Sequence, residues 1–334
     1  MLRRLRRGRV AALMVATMAL ALVAAACGDD SGDYPSQNFR WVVPYSAGGG
    51  FDTYSRGFAE VMAENQLPGG VEIGVENITP IAEGLSTAFG GDEYTLAMLP
   101  MPAASAQQVL FPDIAKWDVE EFTVLGSIEE NAYVIYVNAN GPYQTWEDLA
   151  GASGLKALTV EKGSTSGIAT AVAIRSLGLD AELTFGAEGS QEVATALVRG
   201  DIDFIVYGTS DVLGFIDSGD LKGVLFLGLP EQRPAAFEWL AGVPSAGDVG
   251  FPDVEGAVTE MRVVVAAPNL PDDVVAYLEK AVADTLADPD FAAWSEEAGR
   301  PIVPRNAESA KAAMANQIAK MKELVPLLQA EGLI

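Results

Sequence analysis

The chain has 334 residues, 49% of them hydrophobic and 20% charged, which is enough apolar side chain for one large or two medium domains and too much for a disordered polypeptide. It carries 46 Asp and Glu against 21 Lys and Arg, a single Cys and no His. That balance excludes nucleic-acid binding and a polybasic membrane patch, and it removes His-based triads, His metal sites, zinc clusters and intrachain disulfides from consideration.

The N-terminal segment MLRRLRRGR holds Arg3, Arg4, Arg6, Arg7 and Arg9, and Val10 to Ala26 is an uncharged run of small and apolar residues, the pattern of an export signal. Ala24, Ala25 and Ala26 directly precede Cys27, and a polar stretch from Gly28 to Asp33 follows. This resembles a bacterial lipoprotein signal, although Ala24 stands where such signals usually carry Leu. The resemblance implies a signal peptide over residues 1–26, lipidation of Cys27, a tether over 27–34, and attachment to the outer face of the cytoplasmic membrane by the lipid anchor only. A transmembrane anchor and ordinary cleavage leaving a free thiol are the alternatives. Without residues 1–26 the chain has 16 basic residues against 46 acidic ones, a net charge of −30.

Strand and helix signals then alternate. Phe39 to Pro44 reads as a short apolar strand, followed by a glycine-rich turn and, from Thr53, a helical period with Phe58, Val61 and Met62 on one face. Further strands are predicted at Val71–Glu76, Tyr94–Leu99, Phe122–Ile128, Ala132–Val137, Ala157–Val160, Leu183–Phe185, Phe204–Tyr207 and Val224–Leu227, with helices near 166–177, 190–199 and 210–218. After a Gly/Pro-rich stretch at 242–256, Glu260–Ala266 reads as a strand, and a helix opens at Pro271-Asp272-Asp273. The last helix, about 307–331, carries Pro326 and is expected to kink or break there. The alternation predicts an α/β protein with largely parallel sheets.

The stretch Pro44-Tyr45-Ser46-Ala47-Gly48-Gly49-Gly50-Phe51-Asp52 lies between the first strand and the first helix. It lacks the third glycine of a dinucleotide fingerprint and the Lys-Ser/Thr pair of a Walker loop. Two readings remain: a tight strand-to-helix connection with Asp52 as N-cap, or a loop that brings backbone donors and a helix N-terminus to a carboxylate or phosphate.

The run WVVPYSAGGGFDTYSR, VEIGVEN at 71–77, EYTLAM at 93–98, TVEKGSTSG at 159–167, Gly200-Asp201-Ile202-Asp203 and Gly242-Val243-Pro244-Ser245 together resemble the substrate-binding proteins of tripartite tricarboxylate transporters, over essentially all of residues 35–334. The resemblance implies a periplasmic-binding-protein-like α/β fold, two α/β domains with a ligand cleft between them. Domain 1 would comprise 35–136 and 262–334 and domain 2 would comprise 137–261, with hinge strands at Tyr133–Val137 and Met261–Ala266. It implies no catalysis, cofactor or metal, and a monomer that captures a small organic acid and hands it to integral membrane permease subunits. A receptor presenting its liganded form to a membrane sensor kinase is the alternative.

Carried over position by position, the resemblance selects Tyr45, Ser46, Ala47, Gly48, Gly49 and Asp52 from domain 1. From domain 2 it selects Ser164, Thr165, Ser166, Ser190, Tyr207, Gly208 and Thr209. Ser164 to Ser166 and Ser190 stand before predicted helices, where hydroxyls either bind an anion or simply cap. Tyr207 either reaches the ligand or packs on the core, and Arg56 reads as the partner of a nearby acid. Two features bear on the ligand. Asn77 is followed by ITPIAEG where many family members have a glycine-rich loop, so Ile81 and Glu83 are expected to narrow the cleft. Glu129, Glu130 and Glu188 are also expected at its edge. With a net charge of −30, these acids favour a monocarboxylate, a zwitterion or an aromatic acid over citrate.

Overall fold

The computed structural model of the chain describes residues 34–235 and 237–334, and the expected signal, Cys27 and most of the tether lie outside them. The fold is that of the compact unit Gln37–Ile334. Its strands are β1 (Phe39–Val43), β2 (Ile73–Asn77), β3 (Thr95–Met101), β4 (Thr123–Asn131), β5 (Tyr133–Asn138) and β6 (Leu155–Thr159). They continue as β7 (Ala181–Phe185), β8 (Ile205–Gly208), β9 (Leu221–Phe226), β10 (Glu260–Ala266) and β11 (Arg305–Asn306). The helices in the first half are α1 (Gly50–Asn65), α2 (Ile81–Phe89), α3 (Ala103–Leu110), α4 (Trp146–Ala150) and α5 (Thr165–Leu177). In the second half come α6 (Ser190–Arg199), α7 (Leu213–Asp217), α8 (Asp272–Leu286), α9 (Pro289–Glu297) and α10 (Ala307–Ala330). Among the described residues no helix is long and apolar enough to cross a membrane.

Six strands form one sheet in the order β11-β4-β10-β3-β1-β2. The second layer has β8-β5-β9 and β6-β7, linked by a parallel bridge between Ala157 and Phe204. The parallel ladders are β1 with β2 and β3, and β6 with β7; the other ladders are antiparallel. The expectation of largely parallel sheets is therefore corrected to mixed sheets. Strand-helix alternation reports only chain order, whereas β10 arrives from the second sheet and slots antiparallel between β3 and β4, without a crossover helix.

The passage between sheets is abrupt. Ala132 alone separates β4, in the first sheet, from β5, in the second. The expected outward crossing at Tyr133–Val137 thus falls wholly inside the second sheet, and the return is complete by Glu260. β1, apart from the exposed Arg40, and β5 read as apolar runs because each is flanked by strands on both sides and buried along most of its length. The first core gathers Val42, Leu99, Val263 and Val265, and the second gathers Ile135, Ala157, Ile168, Val206 and Leu225.

Helix α10 belongs to both cores. Its Met314 and Ile318 join the first, and its Met321, Val325 and Leu328 join the second, so the closing helix does not pack on the first sheet alone. It also runs unbroken for 24 residues through Pro326, contrary to the expected break. Pro326 sits on the exposed face, where the carbonyl left without its donor can bond to water, while Val325 and Leu328 anchor the buried face on either side.

Helix α1 packs its buried Phe58 against Phe291 of α9, and Trp294 stacks on Phe291 with ring centroids 5.3 Å apart. A Cβ at Gly57 would overlap the Trp294 ring. Helix propensity alone makes Gly57→Ala stabilising by about 0.5–1 kcal/mol, whereas overpacking makes it destabilising by about 1–3 kcal/mol. We expect the steric term to win in urea denaturation, and a variant at least as stable as wild type would contradict this packing.

Candidate functional site

The site begins with the loop between β1 and α1. Gly48 adopts a left-handed conformation, φ +82, and its N–H donates to Asp52 Oδ2 at 2.9 Å. Asp52 Oδ1 accepts from Arg56 Nε at 2.9 Å, Arg56 reaches Asn77 Oδ1 at 3.0 Å, and Asn77 Nδ2 donates to the Tyr45 carbonyl at 2.9 Å. The N-cap of α1 is therefore Gly49, not the expected Asp52. Asp52 lies in the first turn and folds the loop back on itself. Burial works against its charge, but hydrogen bonds from Arg56, the Gly48 N–H and Asn77 hold its carboxyl below the ordinary range.

That brace presents the start of α1 to a cavity of about 40 Å³ whose walls come from both sheets. The first side supplies Tyr45, Ser46, Gly49, Gly50 and Phe51, together with Glu260 from β10. Thr165 and Ser166 open α5 on the opposite wall, and Gly189 and Ser190 open α6, with Val160, Tyr207 and Asp211 completing the lining. Three helices of eight or more residues thus begin at one cavity, and each presents first-turn N–H groups that have no partner within the helix. The walls touch directly: Tyr45 Oη lies 3.3 Å from Thr165 Oγ1 and accepts from the Thr165 N–H at 3.3 Å. A Cβ at Gly189 would overlap Ser46 Oγ, so a larger residue there would require the Ser46 side chain to turn away.

Beneath the cavity lies a buried charge cluster. Arg262 is wholly buried; its Nη2 donates to Asp211 Oδ1 at 2.6 Å and to Glu260 Oε1 at 2.7 Å, and its Nη1 pairs with Glu129. The guanidinium lies 4.7 Å from the ring centres of both Phe51 and Tyr54. A Cβ at Gly50 would overlap Asp211 and Arg262, so the first residue of α1 must be glycine for the cluster to close. Asn131 joins from β4, donating to Ser210 Oγ at 2.9 Å and accepting from the Thr209 N–H at 2.9 Å. Burial and the neighbouring Asp211 and Glu129 charges outweigh Arg262 and push Glu260 up to about 8; burial also raises Glu129. Among the described residues no such group has metal-ligating placement.

Of the positions selected from sequence, Tyr45, Ser46, Gly49, Thr165, Ser166, Ser190 and Tyr207 line the cavity. Ala47 and Gly48 are exposed outside it, and Asp52 braces the loop behind it. Ser164 caps α5, accepting from the Gly167 N–H at 3.0 Å, and Gly208 and Thr209 bond to Asp211 and Asn131 instead of facing the space. Arg56 partners Asp52, as its position suggested.

The loop after Asn77 also departs from expectation. Ile81 is core, Glu83 is exposed, and the Ile81 N–H at the start of α2 donates to Glu161 Oε1 at 3.0 Å, so a carboxylate of this chain occupies that helix terminus. Glu129 is under Arg262, Glu130 pairs with Arg305, and Glu188 is exposed; none of the three lines the cavity. The acids that do are Asp211 and Glu260, which the sequence reading missed. A signal existed: Glu260 and Arg262 share one face of an otherwise apolar strand, and buried charges require partners.

Arg262→Met is expected to destabilise the protein by about 3–5 kcal/mol in denaturant titration, because three carboxylates then lack their cation. The loss should be greater at pH 8 than at pH 5, where the acids can neutralise; equal losses would argue against the cluster. For Glu260, the folded state holds a proton that the unfolded chain releases near its ordinary 4.5. Stability should therefore fall as pH rises from about 4.5 towards 8, by up to about one proton's linkage, roughly 1.4 kcal/mol per pH unit. Glu260→Gln should flatten that slope.

The chain matches the family model described as tripartite tricarboxylate transporter family receptor over residues 60–331. It is 26% identical over 288 residues to a UPF0065 protein in the TAR-I ttuE-ttuC' intergenic region of Agrobacterium vitis, covering 84% of this chain and 79% of that protein. Among solved structures it superposes on the periplasmic binding protein BugD with a TM-score of 0.76 at 22% identity, covering 89% of this chain and 99% of that one. It matches MatC (Rpa3494) from Rhodopseudomonas palustris, solved with bound malate, with a TM-score of 0.75 at 21% identity, covering 87% and 100%. The two-domain α/β fold of periplasmic binding proteins and the family match along most of the chain agree, and the protein belongs to the tripartite tricarboxylate transporter receptor family.

Proposed function

We propose that this protein is an extracytoplasmic solute receptor that binds a small organic acid in the cavity between its two lobes and delivers it to integral membrane permease subunits. The observation that carries this reading is the convergence of α1, α5 and α6 on one cavity with no Lys or Arg in its lining. Helix N-termini accept a carboxylate through backbone N–H groups and the positive end of the helix dipole, without a cationic side chain. The bound malate of MatC, on the same fold, supports the same ligand chemistry.

A volume of about 40 Å³ admits roughly three waters, so a solute enters only when the walls part. We assign the hinge to the two passages between sheets, at Ala132 and just before Glu260. The lobes then follow the limits drawn from the sequence, 35–136 with 262–334 against 137–261, shifted so that β5 belongs to the second. Lipidation of Cys27 would hold a monomeric receptor at the outer face of the membrane beside its permease. No step in this cycle makes or breaks a bond in the solute.

The test is a thermal-shift and calorimetric screen of the full-length protein against mono-, di- and tricarboxylates and amino acids. At a hundred times Kd a true ligand stabilises the fold by about 2.7 kcal/mol. Gly49→Val should weaken that ligand more than tenfold with little change in stability, because its side chain enters the cavity from a backbone conformation open to any residue. Gly48→Val should cost about 1–2 kcal/mol through its left-handed φ while leaving binding intact. If no carboxylate of any kind binds, the proposal fails.

A further inference from the structure

We propose that the solute is a zwitterion whose carboxylate lies on the starts of α1, α5 and α6 and whose ammonium is received by Asp211 and Glu260. This rests on the receptor reading above and names its ligand class. Among the described residues, the only charged side chains lining the cavity are these two acids. They share a single guanidinium nitrogen, Arg262 Nη2, while Nη1 serves Glu129, so one cation answers three carboxylates. A cluster short of positive charge, with two of its acids at the wall of a binding cavity, suits a ligand cation more than a second anion.

An independent observation marks the same wall. Tyr207 is 5% exposed and lines the cavity, and its hydroxyl lies beside Ser166 and Thr159 without a hydrogen bond of good geometry to either. Ser190 Oγ, at the start of α6, is likewise buried without a partner. Burial keeps the Tyr207 phenol neutral, so it can donate to a carboxylate, as the Ser190 hydroxyl can. Buried hydroxyls are normally bonded, and these two face the space that the helix termini share. Meanwhile Glu161 already fills the N-terminus of α2, one residue beyond Val160 of the lining, which leaves no vacant helix start there for a second ligand carboxylate.

Proton linkage separates an ammonium from an anion. Glu260 faces Arg262 on its own strand, Glu129 from β4, Asp211 from the turn after β8, Tyr45 from the β1–α1 loop and Tyr133 from β5. With its carboxyl pushed up to about 8, it is mostly protonated at pH 7. An ammonium favours the ionised form, so binding releases a proton and affinity rises with pH up to about 8. A ligand that brings only negative charge favours the protonated form, so its binding releases no proton and its affinity falls above that pH.

The experiment is isothermal calorimetry of the full-length protein at pH 6, 7 and 8, in two buffers of different ionisation enthalpy. The probes are L-leucine against 4-methylpentanoate, L-phenylalanine against 3-phenylpropanoate, and succinate. We expect at least one amino acid to bind more than tenfold tighter than its deaminated partner and than succinate, with net proton release at pH 7. Glu260→Gln, which keeps an acceptor for Arg262, should weaken that amino acid tenfold or more and leave the deaminated acid unchanged or tighter. Equal or tighter binding of the deaminated acids or of succinate, or proton uptake with the amino acid, overturns the zwitterion while leaving the receptor reading intact. No binding by any of these probes overturns the zwitterion as well, and the receptor reading then falls only if the wider carboxylate screen is also empty.

Discussion

Arg262 is the group on which the arrangement of the cavity depends. Its guanidinium lies over the rings of Phe51 and Tyr54 on α1 and bonds to acids from β4, β10 and the turn after β8. Buried ion pairs contribute little net stability, because desolvation offsets most of their attraction, but they discriminate strongly between arrangements that keep every charge paired and arrangements that do not. Here that discrimination fixes the start of α1, the first residue of β10 and the loop carrying Asp211 relative to one another. Gly50 has to be glycine because the guanidinium and Asp211 fill the space a side chain would take. The bond between Asp211 and Arg262 joins the turn after β8, on the side of the second sheet, to β10 in the first sheet.

The cavity above this cluster is lined without mobile cationic side chains. Backbone N–H groups at three helix starts supply partial positive charge that costs no side-chain entropy to position. The −30 net charge of the chain beyond residue 26 does not cancel this, because surface charges are screened within about 8 Å at physiological salt while the buried termini act at short range in a medium of low dielectric. The acids that matter are the few inside. Asp211 and Glu260 change the sign of one wall, and Glu161 closes a helix terminus that would otherwise be open.

Much of this was legible in the amino-acid order. β10 was read with its observed bounds, α5 and α6 to within a residue, and most other strands to within two or three, because buried apolar runs and helix-start hydroxyls are local signals. The family resemblance selects the loop from Tyr45 to Gly49 and the hydroxyls of Thr165, Ser166 and Ser190, and each lines the cavity except Ala47 and Gly48. At those two positions Asp52 accepts from the Gly48 N–H and the tip of the loop is exposed to solvent.

What the sequence determined by itself was the α/β class, the family and the glycine-rich loop after β1, all properties carried by neighbours along the chain. The tertiary structure alone decided that Glu129, Asp211 and Glu260 meet on Arg262, that α10 spans both cores through Pro326, and that Ile81 and Glu83 stay out of the cavity. Arg262 and Glu129 are 133 residues apart, and no local pattern encodes such a pairing. It exists because burying a charge without a partner costs several kcal/mol, so the fold that survives is one in which distant acids are brought to the same cation.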